Sequence, residues 1–580
     1  MEMGLGQGGN TAGADVVADY DSSAVMPEDG PPVEGEAAVV RSPIQEFFNG
    51  KNVFVTGGTG FMGKVLIEKL LRSCPDTNRI YVLMRSKKGK DIGRRFDEIF
   101  DDPLFDKLRS QRPKFTEKLT PINGDCLLPG LGLSISDREL LCQKVGVVFH
   151  AAATVRFDEK LRQAVGINVH GTRDLLDLCR EMRQLKSVVH ISTAYSNCNR
   201  KQIEERFYVP PLNYTNILQC VECLDDSILE AMTPLMLGKW PNTYTFTKAI
   251  TEDMIRTYAK DIPITIFRPA IIIATWREPV SGWIDNLYGP TGVVVGAGTG
   301  VLRTLHCDKN IVADMVPVDM TVAALIASAW ATAKEYQNLK PIIPIDAKVT
   351  APSYILPSES KSEEEENIIN ARTKDESKEE TKEKDVKIYN YVSSVQRPIT
   401  WGEFMNLNIK YGMRTPSMRS IWYYTLTLNK SLFIHNLYVL FLHLLPALIV
   451  DICGYAIGKR PKLLKIYQKI NKFSKVISYF STQCWKFDNA NVVDLWNRLD
   501  PMDKSLFQFD MNEMDWDSYF QKHILGLRIY LVKDDLSTLP EAKKRWRRFY
   551  YMHRLIQCVF GVLVIRCLWF AVSTVATYVY

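Results

Sequence analysis

The sequence has no disulfide framework: its twelve cysteines are scattered through 580 residues at no regular interval, and no basic-then-apolar stretch opens the chain as an export signal would. A reduced body facing the cytosol is the expectation. Metal ligands are equally scarce. Cys220 and Cys223 make a single CxxC, but neither a second pair nor a histidine cluster accompanies it, so it reads as two ordinary thiols and no metal is expected. Nor is one charge in large excess: a net +6 is small for this length, which excludes nucleic acid as a partner on bulk electrostatics.

What is present is a long chain with a changing pattern. Its length is too great for one ordinary core and predicts two folded units with tails. At 46% hydrophobic and 24% charged residues, the composition is globular with some excess of apolar surface. Residues 1–44 mix Gly, Ala, Pro and acidic residues without helical or strand period and read as a disordered leader. From Lys51 onward, apolar runs alternate with helical stretches. Strand candidates are 52–56, 79–84, 120–123, 145–150, 187–191 and 264–267, with helices such as 64–71 and 171–182 between them. This βαβ series predicts an α/β, Rossmann-type doubly wound parallel sheet over 45–345.

A charged, serine-containing run predicts a disordered acidic insertion over 353–387. Beyond it, 388–540 reads as a mainly helical C-terminal domain and 555–580 as an apolar membrane segment. The stretch 432–448 is also apolar but contains His435, Asn436, His443 and Pro446, which favours a buried helix pair or an interfacial hairpin over a span. The final stretch follows Lys543, Lys544, Arg545, Arg547 and Arg548, as suits a membrane-associated tail anchored with its basic flank in the cytosol. Arg566 near mid-span is costly, and a helix lying in the interface or packed on the body is the alternative.

Strand 52–55 runs into Thr56, Gly57, Gly58, Thr59, Gly60, Phe61, Met62 and Gly63 and then into a helix. Glycines there allow a tight turn and close approach of backbone to a pyrophosphate, while the helix N-terminus offers amide donors, so a dinucleotide belongs at this turn. The second strand ends in Met84-Arg85-Ser86-Lys87-Lys88, where an NAD enzyme usually places an acid. Arg85 instead suits a 2′-phosphate and favours NADPH. Asp125 stands where it serves either the adenine or its own turn.

Tyr244 and Lys248, four apart, share a helix face. A nearby ammonium lowers a phenol's pKa, so such a tyrosine can protonate a carbonyl oxygen as hydride arrives. The YxxxK spacing recurs at Tyr336/Lys340 and Tyr455/Lys459, but only Tyr244 follows a strand ending in hydroxyl residues, Ser192 and Thr193. Thr193 is preferred over Ser192 as the carbonyl-side donor.

These residues together resemble the extended short-chain dehydrogenase/reductases and, more narrowly, the alcohol-forming fatty acyl-CoA reductases. The resemblance spans about 45–535. It rests on TGGTGFMGKVLIEKLLR (56–72), HAAATVRFD (150–158), PNTYTFTKA (241–249), FRPAII (267–272), WREPVSGWIDNLYGPTG (276–292) and VPVD (316–319). KFDNANVVDLWNRLD (486–500) and DWDSYFQKHILGLRIYLVK (515–533) extend it into the C-terminal part. The resemblance implies a long-chain acyl-CoA substrate reduced to a primary alcohol with two NADPH, Tyr244 as proton donor, Lys248 as its partner and ribose ligand, and Ala151 in a segment along the cofactor. It also implies, with the tail, membrane lipid as a partner and an endoplasmic-reticulum or peroxisomal membrane with the body facing the cytosol. The acidic insertion departs from the compact family pattern.

Overall fold

The computed structural model describes residues 40–86, 91–337 and 386–579. The leader up to residue 39, Lys87 and Lys88, Lys340 and the acidic insertion lie outside the described residues, so the architecture below is that of the unit Ser42–Tyr580.

In chain order the strands are β1 (Asn52–Thr56), β2 (Arg79–Met84), β3 (Leu119–Asn123), β4 (Val145–His150), β5 (Ser187–Ile191), β6 (Gln202–Ile203) and β7 (Ile264–Pro269). Then come β8 (Ile271–Ile273), β9 (Thr304–His306), β10 (Met315–Pro317), β11 (Ile388–Tyr391), β12 (Thr427–Asn429) and β13 (Lys486–Phe487). Seven of them form one parallel sheet in the order β11-β7-β5-β4-β1-β2-β3.

The apolar runs of β1, β4 and β5 are buried throughout because helices cover both faces, which is why these strands read as continuous rather than alternating patterns. Val53, Val55, Val147 and Phe149 pack into one core, while Phe54, Val148 and Val188 pack into the other. The chain reverses its direction of winding between β1 and β4. That switch point opens a crevice beyond the strands' C-terminal ends, where ligands of open α/β sheets sit.

The division of the chain at the insertion does not hold for the sheet. β11 follows the insertion yet pairs with β7, so the edge of the nucleotide-binding sheet comes from the part assigned to the C-terminal domain. The pairs β6–β13 and β9–β12 tie the two parts further. Ser42–Tyr580 is accordingly one compact unit rather than two. The long loop before Gly289 docks directly on the C-terminal helix Trp516–Gly526: Gly282 has φ +77°, and a Cβ on Gly526 would lie 1.8 Å from its carbonyl oxygen.

The segment Leu432–Ala456 is amphipathic in an inverted sense. His435 and His443 are buried, the first against the Thr304 hydroxyl at 3.1 Å and the second accepting from the Arg303 amide at 3.0 Å. Phe433, Leu437, Leu440, Phe441, Ile449 and Ile452 are exposed. A buried helix pair is thereby corrected: the polar side chains, which need hydrogen-bond partners, claim the protein-facing side. The last helix runs without a break from Leu539 to Val579. Trp546, Phe549, Tyr550 and His553 pack on Trp422 and Tyr423, and its apolar part packs on nothing among the described residues.

Backbone contact at Gly282–Gly526 leaves no room for a methyl group. Gly526→Ala should lower stability by about 1–3 kcal/mol, as overpacking does, read as a drop in thermal midpoint. Gly561→Ala, whose Cβ meets nothing within 4 Å, should leave the midpoint in place.

Candidate functional site

At the switch point, β1 turns through Gly57, whose φ of +72° disfavours any side chain. A Cβ there would also stand 2.6 Å from the backbone of Ala151, so the segment after β4 lies directly against the turn. A Cβ on Gly63 would meet the Gly57 carbonyl oxygen at 2.3 Å, which brings the helix Phe61–Ser73 hard against it. Gly60 caps that helix without a side-chain hydrogen bond, leaving the first-turn amides to serve an anion. Gly58, half-buried Thr59 and Phe61 complete the cradle. Thr56 is different. Its hydroxyl is fully buried and bonded to His150 Nδ1 at 2.7 Å, so it braces the turn from beneath and does not face a cofactor.

Arg85 follows β2 with its side chain 66% exposed and Nη1 3.7 Å from Asp125 Oδ2. The other Asp125 oxygen accepts from the Leu127 amide at 3.1 Å. Asp125 thus shapes its own turn and stands beside the arginine. A dinucleotide fits this set: close backbone, open amides and a cation at the end of the second strand.

The helix Thr243–Tyr258 begins at Asn242, whose side chain accepts from the Thr245 amide at 2.9 Å. Tyr244, Lys248 and Glu252 succeed one another at four-residue intervals along one face. The Thr193 side chain stands close enough to the Tyr244 hydroxyl to oppose the rise of its pKa. Lys248 Nζ donates to the Ile191 carbonyl at 2.7 Å. Ser192 turns the other way, donating to Glu252 Oε1 at 2.5 Å, so the structure brings Thr193 to Tyr244 and leaves Ser192 out. The other two YxxxK pairs make no such site: Tyr336 donates to the Asp261 carbonyl, and Tyr455 is exposed.

The expected lowering of the phenol's pKa is overturned. Burial pushes Tyr244 up to about 12, against the pull of Thr193. Burial also brings Lys248 down to about 8, with Glu252 opposing. Desolvation penalises both charged forms and dominates both shifts. Tyr244 therefore holds its proton, as an acid must before it gives it up. Nearby His150, lowered by burial and by Lys248 to about 3, is a neutral imidazole at physiological pH.

Sequence reasoning missed the support beneath this face. Arg268 Nη2 and Nε donate to Glu252 at 2.6 and 2.9 Å, and both side chains are buried. The signal was available in Glu252, four residues beyond Lys248, and in the arginine of FRPAII. Also unforeseen is an aromatic roof: Phe157 stacks on Tyr244 at 5.9 Å between ring centres, and Phe480 from the C-terminal part lies 5.4 Å from Phe157. Among the described residues, no group of His, Cys, Asp or Glu is placed to hold a metal.

Comparison with known proteins matches residues 55–325 to an NAD-binding family model described as "Male sterility protein", and residues 442–534 to a second model of the same description. The chain is 43% identical to the protein named "Fatty acyl-CoA reductase wat" of Drosophila melanogaster, over 90% of this chain and 92% of that protein. It is 35% identical to "Fatty acyl-CoA reductase 1" of Xenopus laevis, over 91% and 92%. Among solved structures, the terminal R domain from the myxalamid biosynthetic pathway shares the fold, with a TM-score of 0.50 at 15% identity over 83% of this chain and 91% of that one.

Gly63→Ala should weaken binding of a nicotinamide dinucleotide about ten- to hundredfold, the equivalent of a 1–3 kcal/mol steric penalty. Titration of the purified protein with reduced cofactor, alongside circular dichroism to establish folding, measures it.

Proposed function

Given that the chain belongs to the family of fatty acyl-CoA reductases, we propose that it reduces long-chain fatty acyl-CoA to the primary alcohol, using NADPH and releasing CoA. The observation that carries this reading is a protonated Tyr244 with Thr193 beside it and Lys248 one turn further along the same helix face, beneath an aromatic roof completed by the C-terminal part.

The Gly57–Gly63 cradle would hold NADPH, which would supply one hydride to each of two successive reductions. Tyr244 gives its proton to the carbonyl oxygen as the carbon is reduced, and Thr193 donates to the same oxygen. Lys248, near 8, is still largely ammonium at neutral pH and eases the charge that forms on the phenol. Reduction of the thioester yields a hemithioacetal, which collapses by expelling the CoA thiol and leaves an aldehyde. A second hydride and a second proton turn the aldehyde into the alcohol. Holding the aldehyde under Phe157 and Phe480 keeps it from water between the two steps. The exposed guanidinium of Arg85 supports NADPH over NADH, since its planar donors match a 2′-phosphate.

The finer localisation is part of the same reading. The inverted face of Leu432–Ala456 supports an interfacial helix that rests its apolar side in lipid, and Lys459, Arg460, Lys462 and Lys465, which follow it, suit an anionic surface. The exposed apolar length of the final helix supports a tail anchor, with its basic flank and the body in the cytosol. The membrane is that of the endoplasmic reticulum or the peroxisome.

Membranes carrying the protein, given labelled palmitoyl-CoA, should accumulate hexadecanol with NADPH and little with NADH. Tyr244→Phe should abolish it, and Arg85→Ala should raise KM for NADPH about tenfold or more, the worth of one charge-assisted contact, without changing that for NADH. Aldehyde as the end product would reduce the reading to a two-electron reductase, and failure to reduce any acyl-CoA despite cofactor binding would refute it. Phe433→Asp with Phe441→Asp should lower recovery of a chain truncated after residue 554 with anionic vesicles on flotation. Unchanged flotation would rule out the interfacial helix.

A further inference from the structure

From Ile452 to Phe487 the chain has eight Lys or Arg and no Asp or Glu, so this stretch attracts an anion. The helix Leu463–Ser481 lies within it, and one end of that helix reaches the reaction centre, where Phe480 is part of the roof over Tyr244. Two turns earlier, Lys472 Nζ pairs with Asp158 Oδ2 at 3.2 Å, and Asp158 directly follows the roof residue Phe157. Arg156 Nη2 approaches the other oxygen of the same carboxylate at 3.6 Å.

Lys472 also lines an open cleft between this helix and Leu432–Ala456, with an empty volume of about 700 Å³, mouth included. Lys475, Gln468 and Asn471 share its wall with Leu444 and Leu464. Leu464, Gln468, Asn471 and Lys475 recur at helical spacing, which puts them on one face. Lys475 has no acidic partner among the described residues. It stands three residues from Lys472, close enough for the two ammonium groups to repel, and the exposed pair of Lys472 with Asp158 is weak. The cleft is therefore short of negative charge.

Its distance from the reaction centre selects the anion. Lys475 and Lys472 precede Phe480 by five and eight residues, about 7.5 and 12 Å along the axis at 1.5 Å per residue. The arm of coenzyme A between thiol and diphosphate is as long as about four extended residues, roughly 14 Å. With the thioester beside Tyr244, the diphosphate and the 3′-phosphate then come within reach of both lysines. Lys472 reaches back to Asp158 and so to the body, which favours a ligand shared with the reaction centre over the headgroups of a bilayer. Neither the glycine cradle nor Arg85 lines the cleft, so NADPH and coenzyme A do not compete for one site.

We propose that the cleft at Lys472 and Lys475 holds the phosphates of coenzyme A while the acyl thioester lies beneath the roof at Tyr244. The two ammonium groups meet the phosphate oxygens as point charges, and the amides of Gln468 and Asn471 add donors. The lysines bind and steer the substrate and take no part in hydride or proton transfer. Asp158 keeps Lys472 at the rim of the reaction centre until phosphate displaces it. The proposal rests on the acyl-CoA reading for its substrate, whereas the recognition of phosphate is measured without turnover.

The test uses the full chain in nanodiscs of neutral lipid, as wild type and with Lys472→Gln and Lys475→Gln together. Free coenzyme A should bind the wild type without NADPH, read by calorimetry, and bind the double variant about tenfold more weakly, the worth of one charge-assisted contact. KM for palmitoyl-CoA should rise by a similar factor, while KM for hexadecanal, which has no phosphate, does not follow. S-palmitoylpantetheine, which lacks the phosphates, should be a poorer substrate than palmitoyl-CoA for the wild type, and the double variant should narrow that difference. Wild-type affinity for coenzyme A in the variant overturns the site, as does an equal rise in KM for hexadecanal, which marks a disturbed roof. If the variant keeps its KM for palmitoyl-CoA and loses only flotation with anionic vesicles, the lysines belong to lipid and the proposal fails. A chain that binds coenzyme A through these lysines but reduces no acyl-CoA keeps the site and loses the reaction, and one that forms hexadecanol with both KM values unmoved by the substitutions does the reverse.

Discussion

Much of the architecture around Tyr244 depends on one buried ion pair, Glu252 with Arg268. The guanidinium comes from β7 and reaches the carboxylate on the helix Thr243–Tyr258, and it also donates to the carbonyls of Glu204 and Arg206. The carboxylate takes the Ser192 hydroxyl as well. Two neighbouring strands and the helix are thus tied through one group of atoms. Such a pair adds little net stability over an apolar replacement, but removing one partner strands a charge at a cost of about 3–5 kcal/mol. Its value here is orientation: with Glu252 held, the helix cannot rotate, and Tyr244 and Lys248 stay aimed above β5.

A second ionic set performs the same service for the cofactor end. Lys64 meets Asp285 at 2.5 Å, Arg72 meets Glu278 at 2.7 Å and Lys69 also pairs with Glu278. Phe61 stacks on Trp283. All three cations lie on the helix that follows the glycine turn, and each has a carboxylate partner on the loop 276–292. That loop is pinned in turn to Gly526. The cradle, the substrate-side loop and the C-terminal helix therefore share one chain of contacts.

The central strands were legible in the sequence because parallel strands buried on both faces are plain apolar runs, and the bounds of β1, β2, β4 and β5 agree with the structure. β11 was not. It has four residues, two of them tyrosines and one an asparagine, and only pairing with β7 makes it a strand. The glycine turn and the Tyr244–Lys248 spacing were readable because their chemistry is local. The choice of Thr193 over Ser192 depends on which way a turn points two adjacent hydroxyls, and the Tyr244 pKa depends on desolvation. Neither is written in spacing. Glu252 and Arg268 read as ordinary charges until the fold buries them together.

The unbroken helix Leu539–Val579 is about 60 Å long at 1.5 Å per residue, twice the thickness of a bilayer's hydrocarbon core of about 30 Å. Its first third is clasped by Trp422 and Tyr423. With no glycine–proline joint between clasp and apolar tail, the helix is a screw rather than a tether. Each residue gained or lost between Trp546 and Val559 turns the body by about 100° about the helix axis and shifts it by about 1.5 Å. Under the proposed anchoring of the final helix, the length of that short stretch decides which face of the protein looks down at lipid.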